Sequence, residues 1–191
     1  MLFNHQFFSQ NQFKSDIKKF RDELNKEYAD SITSPLLKED LLNFKGLKYY
    51  PVNKSFKVEA KFFRTPDELP FKMKTSTNRT PEYLKFGDVE FNLKGKIIKV
   101  PIYQSIKLKE KEEYKDYLFL PFRDLTSGKN SYGGGRYIDL KIPEGETIII
   151  DFNKAYNPYC AYNHKYSCVV PPAENFINVK VKAGVKKYGN H

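Results

Sequence analysis

A chain of 191 residues holds one domain of ordinary size and is too short for two comfortable ones, and with 40% hydrophobic and 16% aromatic residues it can bury a core, which excludes disorder throughout. Lys+Arg 33 against Asp+Glu 23 gives a net charge of +10, yet the excess is spread over residues 1–48, 49–116 and 117–191, and only five of the basic residues are Arg, so no nucleic-acid partner is expected. No run approaches the ~18 apolar residues of a membrane-spanning helix, which predicts a soluble chain without a transmembrane segment.

In chain order, Met1 to Gln10 (MLFNHQFFSQ) is apolar but has no positive n-region and is interrupted by Asn4, His5 and Gln6, so it fails as a complete signal peptide. Residues 1–14 therefore read as an N-terminal extension or as the remnant of an export signal ending at Phe7-Phe8-Ser9. The chain as written reads as cytoplasmic; export to the periplasm is the alternative. Phe13, Ile17, Phe20, Leu24 and Tyr28 recur at steps of four, three, four and four between charged residues, which predicts an amphipathic helix over 11–30. Ser34-Pro35 reads as an N-cap followed by proline at the first position of a second helix, with Leu37, Leu41 and Phe44 on one face and Gly46 as its stop.

From Tyr49 the period changes to two. Phe56, Val58, Ala60 and Phe62 alternate with Lys57, Glu59 and Lys61, as in a half-buried strand. Val89, Phe91 and Leu93 lead through Lys94-Gly95 into Ile98, Val100 and Ile102, a hairpin pattern. Four more strands are predicted over 117–122, 136–142, 147–153 and 177–182, with Pro143-Glu144-Gly145-Glu146 as a turn. Strand follows strand without helices between, so the expected fold is mainly β: an antiparallel β-barrel or β-sandwich with one or two N-terminal helices. Residues 15–185 form a single β-rich domain on this reading, and 186–191 a basic tail. The stretch from Asn153 to Ile177 exceeds twenty residues and is rich in Tyr, Asn, Pro and Cys, which marks a packed, functional loop.

Four blocks carry a resemblance. They are Phe119-Leu120-Pro121-Phe122-Arg123-Asp124-Leu125-Thr126-Ser127-Gly128; Tyr132-Gly133-Gly134-Gly135-Arg136-Tyr137-Ile138-Asp139; Asp151-Phe152-Asn153-Lys154-Ala155-Tyr156-Asn157-Pro158-Tyr159-Cys160-Ala161-Tyr162; and Tyr166-Ser167-Cys168 followed by Pro171-Pro172-Ala173-Glu174-Asn175. In that order they resemble the bacterial and archaeal domain-of-unknown-function family 1684, and Ser34-Pro35-Leu36 with Phe44-Lys45-Gly46-Leu47 extends the resemblance over about residues 15–185. The resemblance implies a compact β-rich domain and, from exported relatives, supports the export reading. It implies no particular reaction.

Within these blocks, Arg123 and Arg136 lie close in sequence to Asp124, Tyr137, Asp139 and Asp151. Guanidinium groups suit a carboxylate or phosphate, and Gly133-Gly134-Gly135 would let backbone N–H groups approach one; the alternative is that the Arg and Asp side chains pair to pin loops. Asp151, Asn153, Asn157, Glu174 and Asn175 could line a pocket if the loop closes over the sheet. Asp151 and Glu174 are then candidate acid and base, or these short polar groups cap turns. Cys160 is the third catalytic candidate, as a nucleophile, although only His164 stands near it in sequence as a base. Cys160 and Cys168 would form a disulfide in an exported chain and remain thiols in a reducing cytosol. Cys160, His164 and Cys168 lack a fourth ligand, so no metal is expected, and no cofactor is implied. Tyr156, Tyr159, Tyr162 and Tyr166 read as loop anchors or as a stacking surface. The expected function is binding of a small polar, anionic ligand through Arg123, Asp124, Arg136, Tyr137, Asp151, Asn153, Asn157, Glu174 and Asn175. The alternatives are an enzyme or an interaction domain without a pocket.

Overall fold

The computed structural model describes residues 2–189, with side chains from Asn11 onward. Helix α1 (Leu2–Ala29) runs unbroken past residue 14 and turns Phe13, Ile17 and Tyr28 inward, as their spacing predicts. Its outer face carries i,i+4 pairs such as Lys18 with Asp22. The chain leaves α1 through a turn in which Asp30 Oδ1 accepts from the N–H groups of Ile32 and Thr33.

Helix α2 is shorter than predicted, only Lys38–Leu42, and Ser34 is not its cap. The Ser34 hydroxyl instead donates to the Tyr28 carbonyl at 2.6 Å and accepts from Leu36 N–H, so the residue ties off the end of α1. Leu37 remains extended, which delays the helix start.

Eight strands follow: β1 (Lys57–Arg64), β2 (Phe71–Lys72), β3 (Glu82–Leu93), β4 (Lys96–Ser105), β5 (Tyr117–Asp124), β6 (Arg136–Lys141), β7 (Thr147–Asp151) and β8 (Phe176–Ile177). The sheet runs in the order β6-β5-β4-β3-β1-β7 with antiparallel neighbours; β2 pairs with β3, and β8 runs parallel to β5. The β3–β4 hairpin turns at Lys94-Gly95, where φ is 54° and 80°, the backbone that a two-residue turn of this hand requires.

The two ends of that order, β6 and β7, are consecutive in sequence. Laid flat, six strands would separate them by about 24 Å, whereas the chain from Lys141 to Thr147 reaches at most about 21 Å. The sheet must therefore curl until its edges approach, and Cα atoms of β6 and β7 come within 8 Å. No β6–β7 ladder closes it among the described residues, so the expected barrel or sandwich is realised as a half-barrel.

Alternation along each strand divides the buried residues between two faces. Ile102, Leu118, Leu120, Phe122, Ile138 and Leu140 join Val89, Ile150 and Phe152 inside the curl. Their neighbours Tyr103, Phe119 and Tyr137 form a second apolar cluster on the opposite face, with Met73 and Val169 packed over it. A third cluster, built on Tyr28, Leu36, Tyr162 and Val185, joins α1 to the loop region and to the end of the chain.

Two predicted strands end early. In 147–153, β7 stops at Asp151, whose side chain accepts from Asn153 N–H and caps a 3-10 turn over Phe152–Lys154. In 177–182, only Phe176–Ile177 pair as a strand. Ile177, Val179 and Val181 do alternate inward, but no strand ladder continues past Ile177: Val179 O accepts from Leu125 N–H, and the Val181 backbone bonds the side chains of Asp124 and Arg136. At the chain end, Lys186 N–H bonds Lys48 O and Lys187 N–H bonds Asn130 O, so this part of the basic segment is packed.

A tyrosine-walled candidate site

The polar residues singled out from the sequence separate into distinct places. Arg136 sits at the start of β6 with its side chain fully buried. It pairs with Asp124 at the end of β5 at 3.2 Å, donates to Val181 O at 2.9 Å and to Val185 O at 3.3 Å, and also bonds Ala183 O. Asp124 in turn accepts from Val181 N–H and from the backbone and hydroxyl of Thr126. The ion pair thus holds the C-terminal segment against the sheet. Arg123 points to the other face, half-buried; its backbone pairs with Phe176.

Asp151 and Asn153 form another group. Asn153 amide N–H groups reach Asp151 and Asn53 O, while its carbonyl accepts from Asn53 N–H, closing a bridge from β7 to the segment before β1. Asn157 donates to Tyr162 and to Lys186 O. Asn175 donates to Pro101 O and accepts from the Tyr103 hydroxyl, which also reaches the exposed Glu174. Asp151 and Glu174 share no partner among the described residues, and these side chains do not converge on one cavity. The glycine turn is occupied by protein: a Cβ on Gly134 would lie 2.4 Å from Tyr132, and one on Gly135, where φ is 96°, 2.6 Å from Pro171.

A cleft of about 570 Å³ opens elsewhere, between α1 and the opposite face of the half-barrel. Phe20, Glu23, Leu24, Glu27 and Tyr28 come from α1; Tyr83, Tyr117, Phe119, Tyr137 and Asp139 come from β3, β5 and β6. The long loop supplies Tyr156, Pro158, Tyr159, Ser167, Cys168 and Val169, and Arg79 completes the rim. Of the residues named from sequence as contacts of an anionic ligand, Tyr137 alone lies here, joined by Tyr156 and Tyr159 from the tyrosines read as loop anchors or a stacking surface. The helix residues and the strand residues Tyr83, Tyr117 and Phe119 were missed because the cleft is assembled from helix, strands and loop that are remote in sequence. The recurrence of Tyr on the outward positions of β3, β5 and β6 was the available signal.

Hydrogen bonds fix the ring positions. Tyr117 and Tyr156 hydroxyls donate to Asp139 Oδ1 at 2.8 and 2.6 Å, Tyr159 donates to Glu27 at 2.5 Å, and Tyr137 donates to Val169 O at 2.5 Å. Burial, reinforced for Tyr117 and Tyr156 by the Asp139 carboxylate, raises the pKa of Tyr117, Tyr137 and Tyr156 above the usual phenol value. The cleft therefore presents neutral rings and neutral hydroxyls at ordinary pH. Its charged rim residues are Glu23, Glu27 and Asp139 against Arg79, whose guanidinium donates to Ser167 O.

Beside Cys168 in the cleft wall, Cys160 N–H donates to Cys168 Sγ at 3.1 Å, and the Tyr132 hydroxyl lies 3.8 Å from Cys160 Sγ. Both cysteines are half-buried and unbridged.

A family model described as "Protein of unknown function (DUF1684)" matches residues 42–186. The solution NMR structure of an uncharacterized protein from Haloarcula marismortui is similar to this chain at 31% identity and a TM-score of 0.74, over 96% of this chain and 98% of that one. No curated protein matches the chain significantly.

Proposed function

The chain belongs to the DUF1684 family, proteins of unknown function, and we propose that it binds a small organic cation in the tyrosine-walled cleft. The observation that carries this reading is the chemistry of the lining: aromatic side chains from α1, three strands and the long loop, with three carboxylates against one guanidinium. Aromatic rings attract a cation through their negative faces, most strongly where water is excluded. The excess of carboxylates works in the same direction and against the anionic ligand expected from sequence. A volume of about 570 Å³ falls in the range of small-molecule sites.

Tyr137 keeps its place as a ligand contact, with Tyr117 and Tyr156 beside it. Asp124, Arg136, Asp151, Asn153, Asn157 and Asn175 are assigned to holding the loops and the chain end that frame the cleft. Acid–base catalysis by Asp151 and Glu174 has less support, because the two bond into different parts of the fold.

Thermal unfolding with and without tetramethylammonium, choline or short alkylamines, with acetate and phosphate for comparison, tests the reading. A ligand at 100 times its Kd adds about 2.7 kcal/mol, or a rise of about 5–11 °C at ~2–4 °C per kcal/mol. Asp139→Asn keeps an acceptor for the Tyr117 and Tyr156 hydroxyls but removes the charge, and is expected to weaken the cation response. Stabilisation by the anions and by none of the cations overturns the proposal.

A further inference from the structure

We propose that the ligand of the cleft is a zwitterion, a short chain with an ammonium group at one end and a carboxylate at the other, and that Arg79 receives the carboxylate. This rests on the cation reading above and supplies the other half of the ligand.

Opposite charges line the cleft without meeting. Among the described residues no carboxylate lies within ion-pair distance of Arg79, and no Lys or Arg lies within that distance of Glu27 or Asp139. Tyrosine hydroxyls are the partners of these two carboxylates. Glu27 Oε1 accepts from Tyr159, and Asp139 Oδ1 accepts from both Tyr117 and Tyr156. Glu27 Oε2 and Asp139 Oδ2 accept nothing among the described residues. A hydroxyl orients a carboxylate without neutralising it, so the negative charge on this side of the cleft stays uncompensated.

Arg79 is the converse case, a cation placed by neutral groups. Its N–H donates to Thr77 Oγ1 at 3.3 Å, its carbonyl accepts from the Thr75 hydroxyl, and its Nη2 donates to Ser167 O at 2.8 Å. The same two threonines hold the Ser167 hydroxyl, at 3.0 Å from Thr75 Oγ1 and 2.6 Å from Thr77 Oγ1. Thr75 is buried, so this arm is rooted in the fold although the Arg79 side chain is exposed. Its Nε and Nη1 groups donate to nothing among the described residues. Donors of a planar fork, already oriented, suit a carboxylate.

The strands separate the two charges, and the rings fill the space between. Arg79 stands three residues before β3, whereas Asp139 is on β6. The order β6-β5-β4-β3 sets these strands three spacings apart, about 14 Å in a flat sheet and less in a curled one. Ring centroids of Tyr83 and Phe119 lie 5.9 Å apart, those of Phe119 and Tyr137 4.7 Å, and those of Tyr137 and Tyr156 5.9 Å. An apolar floor thus runs from the β3 side to the rings beside Asp139, and it suits the methylene chain of a ligand whose ammonium lies at the Asp139 end. A simple cation would leave Arg79 unanswered, and a simple anion would leave the carboxylates so. A zwitterion answers both.

The test is isothermal titration calorimetry on the full chain at low ionic strength, where exposed charges are least screened. The probes are γ-trimethylammonio butyrate and its methyl ester, which share cation and chain and differ by one negative charge. The carboxylate is expected to bind at least about fivefold tighter than the ester, as a charge-assisted bond to guanidinium implies. Arg79→Gln should bring the two Kd values together. Equal affinities in the wild-type protein, or a preference for the ester, overturn this inference and leave the cation reading standing. A preference for the carboxylate that survives Arg79→Gln overturns the assignment of Arg79. Binding of neither probe overturns both readings. The wild-type comparison decides the ligand class even if the variant does not fold.

Discussion

Arg136→Met is expected to destabilise the protein severely while leaving the cleft chemistry of the folded fraction intact. The guanidinium is completely buried and serves Asp124 together with the carbonyls of Val181, Ala183 and Val185. Met approximates its volume and removes every donor. Breaking a buried ion pair from one side costs about 3–5 kcal/mol, because the remaining charge stays desolvated and alone. Each carbonyl left without a donor adds about 1–3 kcal/mol, and these costs overlap as the segment 181–185 loosens and admits water. A loss of at least about 4 kcal/mol is therefore expected, or ~8–16 °C in Tm. Against a typical domain stability of about 5–15 kcal/mol, that places the variant near unfolding.

The assay is urea denaturation followed by far-UV circular dichroism and by tyrosine emission, which is usable because the chain has no Trp. Asp124→Asn and the double variant complete a cycle. An Asn oxygen can accept from Thr126 and Val181 N–H, which both donate to Oδ2, but its NH2 then faces the Arg136 guanidinium at the Oδ1 position, so it too should be costly. The double variant leaves no orphan charge and should lose less than the two single losses combined, by at least ~2 kcal/mol. A loss below ~1 kcal/mol for Arg136→Met, or simple additivity, refutes the reasoning. Weakened ligand binding at an unchanged Tm would return Arg136 to a ligand-contacting role.

Two further outcomes follow from the packing. The raised pKa values of Tyr117, Tyr137 and Tyr156 mean that the unfolded chain ionises first. Stability present below pH ~10 is then lost as pH rises above it, and phenolate absorbance should appear in step with the loss of circular dichroism. Ionisation of most tyrosines near pH 10 with native dichroism contradicts this. Gly135→Ala forces an L residue to φ 96° and a Cβ to 2.6 Å from Pro171 and 2.7 Å from Phe122 O, so urea unfolding should show a loss of about 2–4 kcal/mol from backbone strain and overpacking. Gly145→Ala meets nothing within 4 Å and serves as the control; equal effects at the two sites would refute the packing argument.

The elements that the sequence revealed are those whose side-chain period and local turn chemistry agree. The stripe from Phe13 to Tyr28 and the Lys94-Gly95 hairpin are of this kind. The misleading elements are those where one signal had two physical causes. In 177–182, Ile177, Val179 and Val181 alternate with polar residues because the chain lies extended against the core, and extension needs no neighbouring strand. Its Val181 carbonyl, with that of Ala183 just beyond, goes to Arg136, and the Val181 N–H goes to Asp124. Period two reports burial of alternate side chains; pairing depends on where the backbone groups find partners, which the pattern does not encode. Ser34-Pro35 fails in the same way: a serine oxygen can cap the helix ahead or close the helix behind, and here the Tyr28 carbonyl is its partner.

The candidate site carries the same ambiguity one level higher. A buried Arg beside an Asp reads from sequence as anion recognition or as a structural clamp, and the acceptors that decide between them, the carbonyls at 181–185, lie some fifty residues away. Conversely, Tyr117, Tyr137 and Tyr156 look like isolated strand and loop anchors, because the carboxylate they surround, Asp139, and the helix that roofs them, α1, meet only in the folded chain. For Tyr156 the role of anchor and a place in the cleft wall go together. Its backbone pairs with Tyr137, and its hydroxyl is fixed by Asp139. The bonds that make it a good anchor also hold its ring in one orientation in the cleft wall, which would lower the entropy lost on binding the proposed cation there.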